Sequence, residues 1–168
     1  GVITNLERAV DWYQQAVEHG NSVAMFSLGV CYQKGEGVKQ DWIKAVELYQ
    51  RAVEQGNDSA MFSLGLCYQK GEGVEQNWIK AVELYQRAVE QGNGAAMVNL
   101  GVCYQNGEGV EQNWRKAIDL YERAVEQGND GAMINLGVCY ENGEGVEQNW
   151  VKAVDLYQRA VAQGNAAA

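Results

Sequence analysis

From Trp42 to Val53 the apolar residues Trp42, Ala45, Val46, Tyr49, Ala52 and Val53 fall at i, i+3, i+4, i+7, i+10 and i+11. That spacing gathers them on one face of a helix turning about 100° per residue. Asp41 stands where an N-cap oxygen is needed, as do Asn77, Asn113, Asn149 and, early in the chain, Asn5. Gly56 supplies the left-handed residue that ends the helix. Glu47 and Arg51 lie four apart on the polar side and predict an exposed ion pair in each full unit, worth about 0.2–0.5 kcal/mol.

Upstream, a shorter helix is predicted from Ser22 to Lys34, capped by Asn21 and stopped by Gly35. With Leu28 at the centre of its buried side, Ala24, Met25, Cys31 and Tyr32 share that side and Gly29 lies beside it. Glycine inside a helix costs about 1 kcal/mol relative to alanine. Its return as Gly65, Gly101 and Gly137 therefore marks a place where another helix comes too close for a side chain. The linking run Gly35-Glu36-Gly37-Val38 is read as a tight helix-to-helix turn, with Val38 filling the core beneath it. It is not read as a phosphate loop, because no strand precedes it and Glu36 stands where an anion would sit.

The two-helix pattern returns every 36 residues, as 21–56, 57–92, 93–128 and 129–164, after a second-helix half unit at 1–20 and before the start of a further unit at 165–168. A fixed period of this size predicts a solenoid in which each unit buries its apolar side against its neighbours. The expected fold is all-α, residues 1–168 forming one repeat domain. The first two full units differ at only five of 36 positions, Ser22/Asp58, Val23/Ser59, Val30/Leu66, Lys39/Glu75 and Asp41/Asn77. Such identity fits either a consensus-designed array or one recently duplicated.

Composition narrows the function. A net charge of −9 argues against a nucleic-acid or anionic-membrane surface, which needs clustered Lys and Arg. No run approaches the roughly 20 apolar residues of a membrane span. Cys31, Cys67, Cys103 and Cys139 occupy one repeat position, so equivalent sulfurs lie one unit apart and are read as free, packed thiols. With no C-x-x-C spacing and one histidine, a zinc site is not expected, and no cofactor is implied. Free thiols favour a cytoplasmic location. Catalysis needs an asymmetric constellation that breaks the repeat. His19 does break it, but at a helix end where Gln55, Gln91, Gln127 and Gln163 stand elsewhere, and it is read as a solvated cap. Trp42, Trp78, Trp114 and Trp150 are read as core aromatics.

The pattern A-M-x-x-L-G-x-C-Y-x-x-G-E-G-V-x-Q-[DN]-W-x-K-A-[VI]-[ED]-L-Y, closing on Q-G, resembles Sel-one-like repeats of the tetratricopeptide superfamily across essentially the whole chain. The resemblance implies a right-handed superhelix of helical hairpins, with first helices lining the concave side. It also implies an adaptor or scaffold function, as in endoplasmic-reticulum quality control, bacterial signalling and host–pathogen contact. A cysteine-rich bacterial branch carries an intra-repeat disulfide and is associated with weak penicillin-binding or β-lactamase activity. This chain departs from that branch, with a single cysteine per unit confined to first helices.

On the wheel of the first helix, Phe26, Val30 and Gln33 lie about 140–200° from Leu28, away from the hairpin interior. The stripe Phe26/Val30, Phe62/Leu66, Val98/Val102, Ile134/Val138 is apolar in every unit, and Ser27, Ser63, Asn99 and Asn135 beside it are placed to hydrogen-bond a peptide backbone. It is read as the floor of a groove for an apolar or amphipathic peptide or protein segment. The alternative, that curvature or the next unit covers the stripe, predicts that Phe26, Phe62, Val98 and Ile134 are buried. Only Lys34 and Lys70 offer positive charge near it, so a clamp for a peptide carboxylate is the weaker reading. Val10, Tyr13 and Val17 open the chain without a preceding first helix, which predicts self-association through uncapped ends.

Overall fold

The computed structural model describes residues 4–166, and side chains as far as Gly164. Among these residues there are nine helices and no strand: α1 (Asn5–Glu18), α2 (Ser22–Lys34), α3 (Trp42–Glu54), α4 (Asp58–Lys70), α5 (Trp78–Glu90), α6 (Gly94–Asn106), α7 (Trp114–Glu126), α8 (Asp130–Asn142) and α9 (Trp150–Ala166). They fall into two compact units, Gly1–Gln91 with α1–α5 and Gly92–Ala168 with α6–α9.

Each first helix starts and stops where its caps dictate. Asn21 Oδ1 accepts from the Ala24 amide at 2.9 Å, opening α2. At the other end Gly35 adopts φ +74°, and the amides of Gly35 and Glu36 both donate to the Cys31 carbonyl, at 2.8 and 3.0 Å. The chain then crosses to the second helix, and the crossing is tied down by Asp41 N–H to Tyr32 O and by Gln40 Nε2 to Gln33 O, both 2.8 Å. Asp41 Oδ1 caps α3 through the Lys44 amide. At the end of α3, Gly56 N–H reaches Val53 O and Asn57 N–H reaches Ala52 O, so Asn57 closes one helix and caps the next.

The first element departs from expectation. Its N-cap is Thr4 rather than Asn5, because Thr4 and Glu7 satisfy each other's backbone amides in a reciprocal capping box. Asn5 is already helical. At the far end α9 runs on to Ala166 instead of stopping at Gly164, since the following residues include alanine, the strongest helix former. Of the expected start of a further unit, residues 167 and 168 lie outside the described residues.

In Gly1–Gln91 the principal packing runs between consecutive helices, α1 with α2, α2 with α3, α3 with α4 and α4 with α5. In Gly92–Ala168 it runs α6 with α7, α7 with α8 and α8 with α9. The core is a ribbon of alanines, Met25, Leu28 and their equivalents from first helices, and Val46, Leu48 and Tyr49 and their equivalents from second helices. Leu48 was not on the predicted stripe; it is buried where the second helix also meets Val17 of the preceding one. Trp42, Trp78 and Trp114 are half-buried and Trp150 is 57% exposed, so these are rim residues and not core. Each occupies the first helical position, where the end of the hairpin leaves one side of the ring to solvent. Val38 and its equivalents are likewise half-buried.

The second glycine of the turn has its own reason. A Cβ on Gly73, at φ +72°, would lie 2.5 Å from the Trp42 carbonyl oxygen, so the loop rests directly on the first turn of α3. The expected ion pair closes in two of the full units, as Asp119–Arg123 at 3.8 Å and Asp155–Arg159 at 3.7 Å. Glu47–Arg51 and Glu83–Arg87 do not close among the described residues. Arg87 turns instead toward the Val53 carbonyl at the end of α3.

Candidate functional site

The first-helix face is organised by a tyrosine. Tyr49 is fully buried and lies across Gly29, where a Cβ would sit 2.6 Å from the ring edge. The close approach predicted at Gly29 is therefore a ring crossing the helix. Because nothing projects at Gly29, the tyrosine passes through to the other side of α2. There its ring meets Phe26, centroids 5.9 Å apart, and its hydroxyl donates to Gln33 Oε1. Residues 26, 29 and 33 share one side of α2, so this face is part apolar side chain and part tyrosine edge.

The arrangement returns in every full unit. Tyr85 lies over Gly65, meets Phe62 at 6.0 Å and donates to Gln69. Tyr121 lies over Gly101 and donates to Gln105 at 2.9 Å. In the last unit Tyr157 lies over Gly137 and its hydroxyl donates to a carboxylate, Glu141 Oε2, at 2.6 Å. Burial, followed by that carboxylate, pushes the Tyr157 phenol up to about 12.

None of Phe26, Phe62, Val98 and Ile134 is buried; the first three are half-buried and Ile134 is 49% exposed. Val30, Leu66 and Val102 are half-buried beside them, and Val138 is exposed. Ser27 and Ser63 in the first compact unit, and Asn99 and Asn135 in the second, are part-exposed neighbours. Lys34 turns to Glu36 at 3.7 Å, which offsets one of the two cations a carboxylate clamp would use.

A second feature lies on the side of the second helices. Val17, Leu28 and Leu48 floor a notch of about 380 Å³, rimmed by Tyr32, Lys44, Glu47 and Arg51. A notch of about 350 Å³ repeats it one unit on, and one of about 550 Å³ with Leu136, Tyr140, Lys152 and Arg159 occurs in the second compact unit. In each full unit a lysine sits over a tyrosine face, from Lys44 over Tyr32 at 5.2 Å to Lys152 over Tyr140 at 4.8 Å. The fixed twelve-residue interval from Tyr to Lys was the signal in the sequence that could have found it.

The four thiols are free and buried. Burial pushes Cys67, Cys103 and Cys139 up to about 11 and raises Cys31 as well, so they are poor nucleophiles at neutral pH. His19 caps α1, its Nδ1 2.8 Å from the Gln15 carbonyl. Among the described residues no group of His, Cys, Asp and Glu is placed to hold a metal, and no helix is long and apolar enough to cross a membrane.

Hairpins in tandem, each with a glycine-seated tyrosine and a G-x-G turn, define an all-α repeat solenoid. The chain belongs to the Sel1 repeat family, whose model matches residues 1–21, 22–57, 58–93, 94–129 and 131–165. Among solved structures it is similar to a Sel1 repeat protein from Oxalobacter formigenes, at 32% identity and TM-score 0.90, over 95% of this chain and 63% of that one. It is also similar to c5321, a protective antigen of uropathogenic Escherichia coli with this fold, at 35% identity and TM-score 0.86, over 94% of this chain and 34% of that one. The immunity protein Pa5087 of Pseudomonas aeruginosa matches at 29% identity and TM-score 0.69, over 97% of this chain and 60% of its own. The chain thus spans less than two thirds of each of these proteins. No curated protein matches it. Sel1 repeat proteins are generally non-enzymatic scaffolds for protein interaction.

Proposed function

We propose that this chain is a non-enzymatic scaffold that binds an apolar or amphipathic peptide or protein segment along the faces of its first helices, the side that lines the concave surface in such arrays. The observation that carries the reading is the part-exposed apolar pair present in every full unit, Phe26/Val30, Phe62/Leu66, Val98/Val102 and Ile134/Val138. Water-facing helix positions seldom stay apolar through four units without something to cover them. Ser27, Ser63, Asn99 and Asn135 supply backbone partners for the bound segment. A cytoplasmic setting belongs to the same proposal, supported by the four unbridged thiols.

The test uses peptides selected from a display library against the whole chain. Phe62→Glu is expected to weaken their binding at least tenfold, while Ile79→Glu, at a more accessible apolar position of a second helix that is 63% exposed, leaves it unchanged. Binders indifferent to Phe62→Glu contradict the reading. A library that yields no binder favours the second reading, an array without a specific partner, for which the five-in-36 divergence of the first two full units speaks.

A further inference from the structure

The repeats are nearly identical in their packing positions, but their charges are not distributed alike. Within Gly92–Ala168 there are ten carboxylates and five cations, and every one of those cations, Arg115, Lys116, Arg123, Lys152 and Arg159, lies on α7 or α9. Four of the five are engaged there. Lys116 sits over Tyr104 at 4.9 Å and Lys152 over Tyr140 at 4.8 Å, while Arg123 and Arg159 pair with Asp119 and Asp155. The first helices of this unit carry no cation: α6 has no charge at all, and α8 has only Asp130 and Glu141. The first-helix face here is thus apolar with an acidic edge.

Glu141 makes that edge specific. It stands where Gln33, Gln69 and Gln105 stand in the other units, and it keeps the same partner, the tyrosine hydroxyl. A neutral amide served that hydrogen bond in three units, so the packing does not require the charge. Ile134, Val138 and Glu141 follow at i, i+4 and i+7, which aligns two exposed apolar side chains and a carboxylate over about 10 Å of one helix face. The carboxylate is half-buried and held by one hydrogen bond, leaving acceptor positions on its two oxygens for a second donor.

We infer that α8, together with α6, receives a basic amphipathic helix: apolar side chains seat on Ile134 and Val138, and a lysine or arginine one turn further along pairs with Glu141. This inference rests on the first-helix reading above and adds the chemistry of the partner. Charge complementarity selects it, because an acidic or carboxylate-ended segment would meet Asp130, Glu141 and the loop residues Glu108 and Glu144 with no opposing cation on these helices.

Three dye-labelled synthetic helices with one leucine stripe, and with lysine, glutamine or glutamate on the polar face, test it by fluorescence anisotropy with the full chain. The lysine peptide is expected to bind at least tenfold more tightly than the glutamine one, and the glutamate peptide not at all. Glu141→Gln restores the residue of the other units and so preserves the fold; it should weaken the lysine peptide about fivefold and flatten its salt dependence. Ile134→Glu should abolish binding, whereas a merely diffuse attraction to an acidic protein would grow with the added charge. If Glu141→Gln changes nothing, or lysine and glutamine peptides bind alike, the basic partner is overturned; loss of binding in Ile134→Glu then leaves the first-helix reading standing. Failure of the lysine peptide to bind overturns the inference outright. Binding unaffected by Ile134→Glu overturns both.

Discussion

A single missing side chain sets the local geometry of each unit. Gly65 pays the conformational cost of glycine in a helix so that Tyr85 can lie flat across it, bury its ring fully and still present its hydroxyl to Gln69. Alanine at position 65 would gain about 1 kcal/mol of helix propensity. Its Cβ, however, would sit 2.5 Å from Tyr85 Cε1 in a packed core, where such crowding costs about 1–3 kcal/mol. Gly65→Ala is therefore expected to lower the urea midpoint of unfolding, and Gly65→Ala with Tyr85→Leu to recover part of the loss. A rise in midpoint for the single variant would show that the ring moves aside freely. The recurrence of glycine signalled a close approach. What the sequence could not give was its author, because a helix backbone and a ring crossing over demand the same absence.

At the scale of the helix, caps and stripes were read with unequal success, and the difference is physical. Asn21, Asn57, Asn93 and Asn129 each accept from the amide three residues on, so the bounds of first helices followed from local chemistry alone. Asn57→Ala should cost about 1 kcal/mol, while Asn57→Asp, which keeps the acceptor, should cost little; equal losses in thermal unfolding would mean that the cap oxygen is not what holds α4. Thr4 displaced Asn5 because Glu7 completes a box that the other second helices lack. The one-sided wheel placed Ala45, Val46, Tyr49, Ala52 and Val53 correctly and missed Leu48. A second helix packs on its own first helix and also on the neighbouring unit, and that second contact leaves no mark in the periodicity. The Glu47–Arg51 pair was legible as spacing, but spacing does not decide which rotamer a long, exposed side chain takes.

Across the whole molecule, burial is local, since helices pack chiefly on their neighbours in sequence within each compact unit. That is why a 36-residue period sufficed to read the hairpins, the core ribbon and the family. The proposed interaction surface was legible only in outline. Phe26, Val30 and their equivalents were found as an apolar stripe, but the tyrosine that underlies them arrives from the second helix, 16 residues away from its Gln33 partner, and no wheel of one helix contains it. Isoleucine methyl groups give the most direct test of which side binds. Ile134 reports on a first helix, Ile43 and Ile79 on exposed positions of second helices and Ile118 on the core. Methyl-resolved NMR of the full chain with a library-selected peptide should move the Ile134 signal and leave Ile43, Ile79 and Ile118 in place. Shifts at Ile43 and Ile79 with Ile134 unmoved would contradict the account.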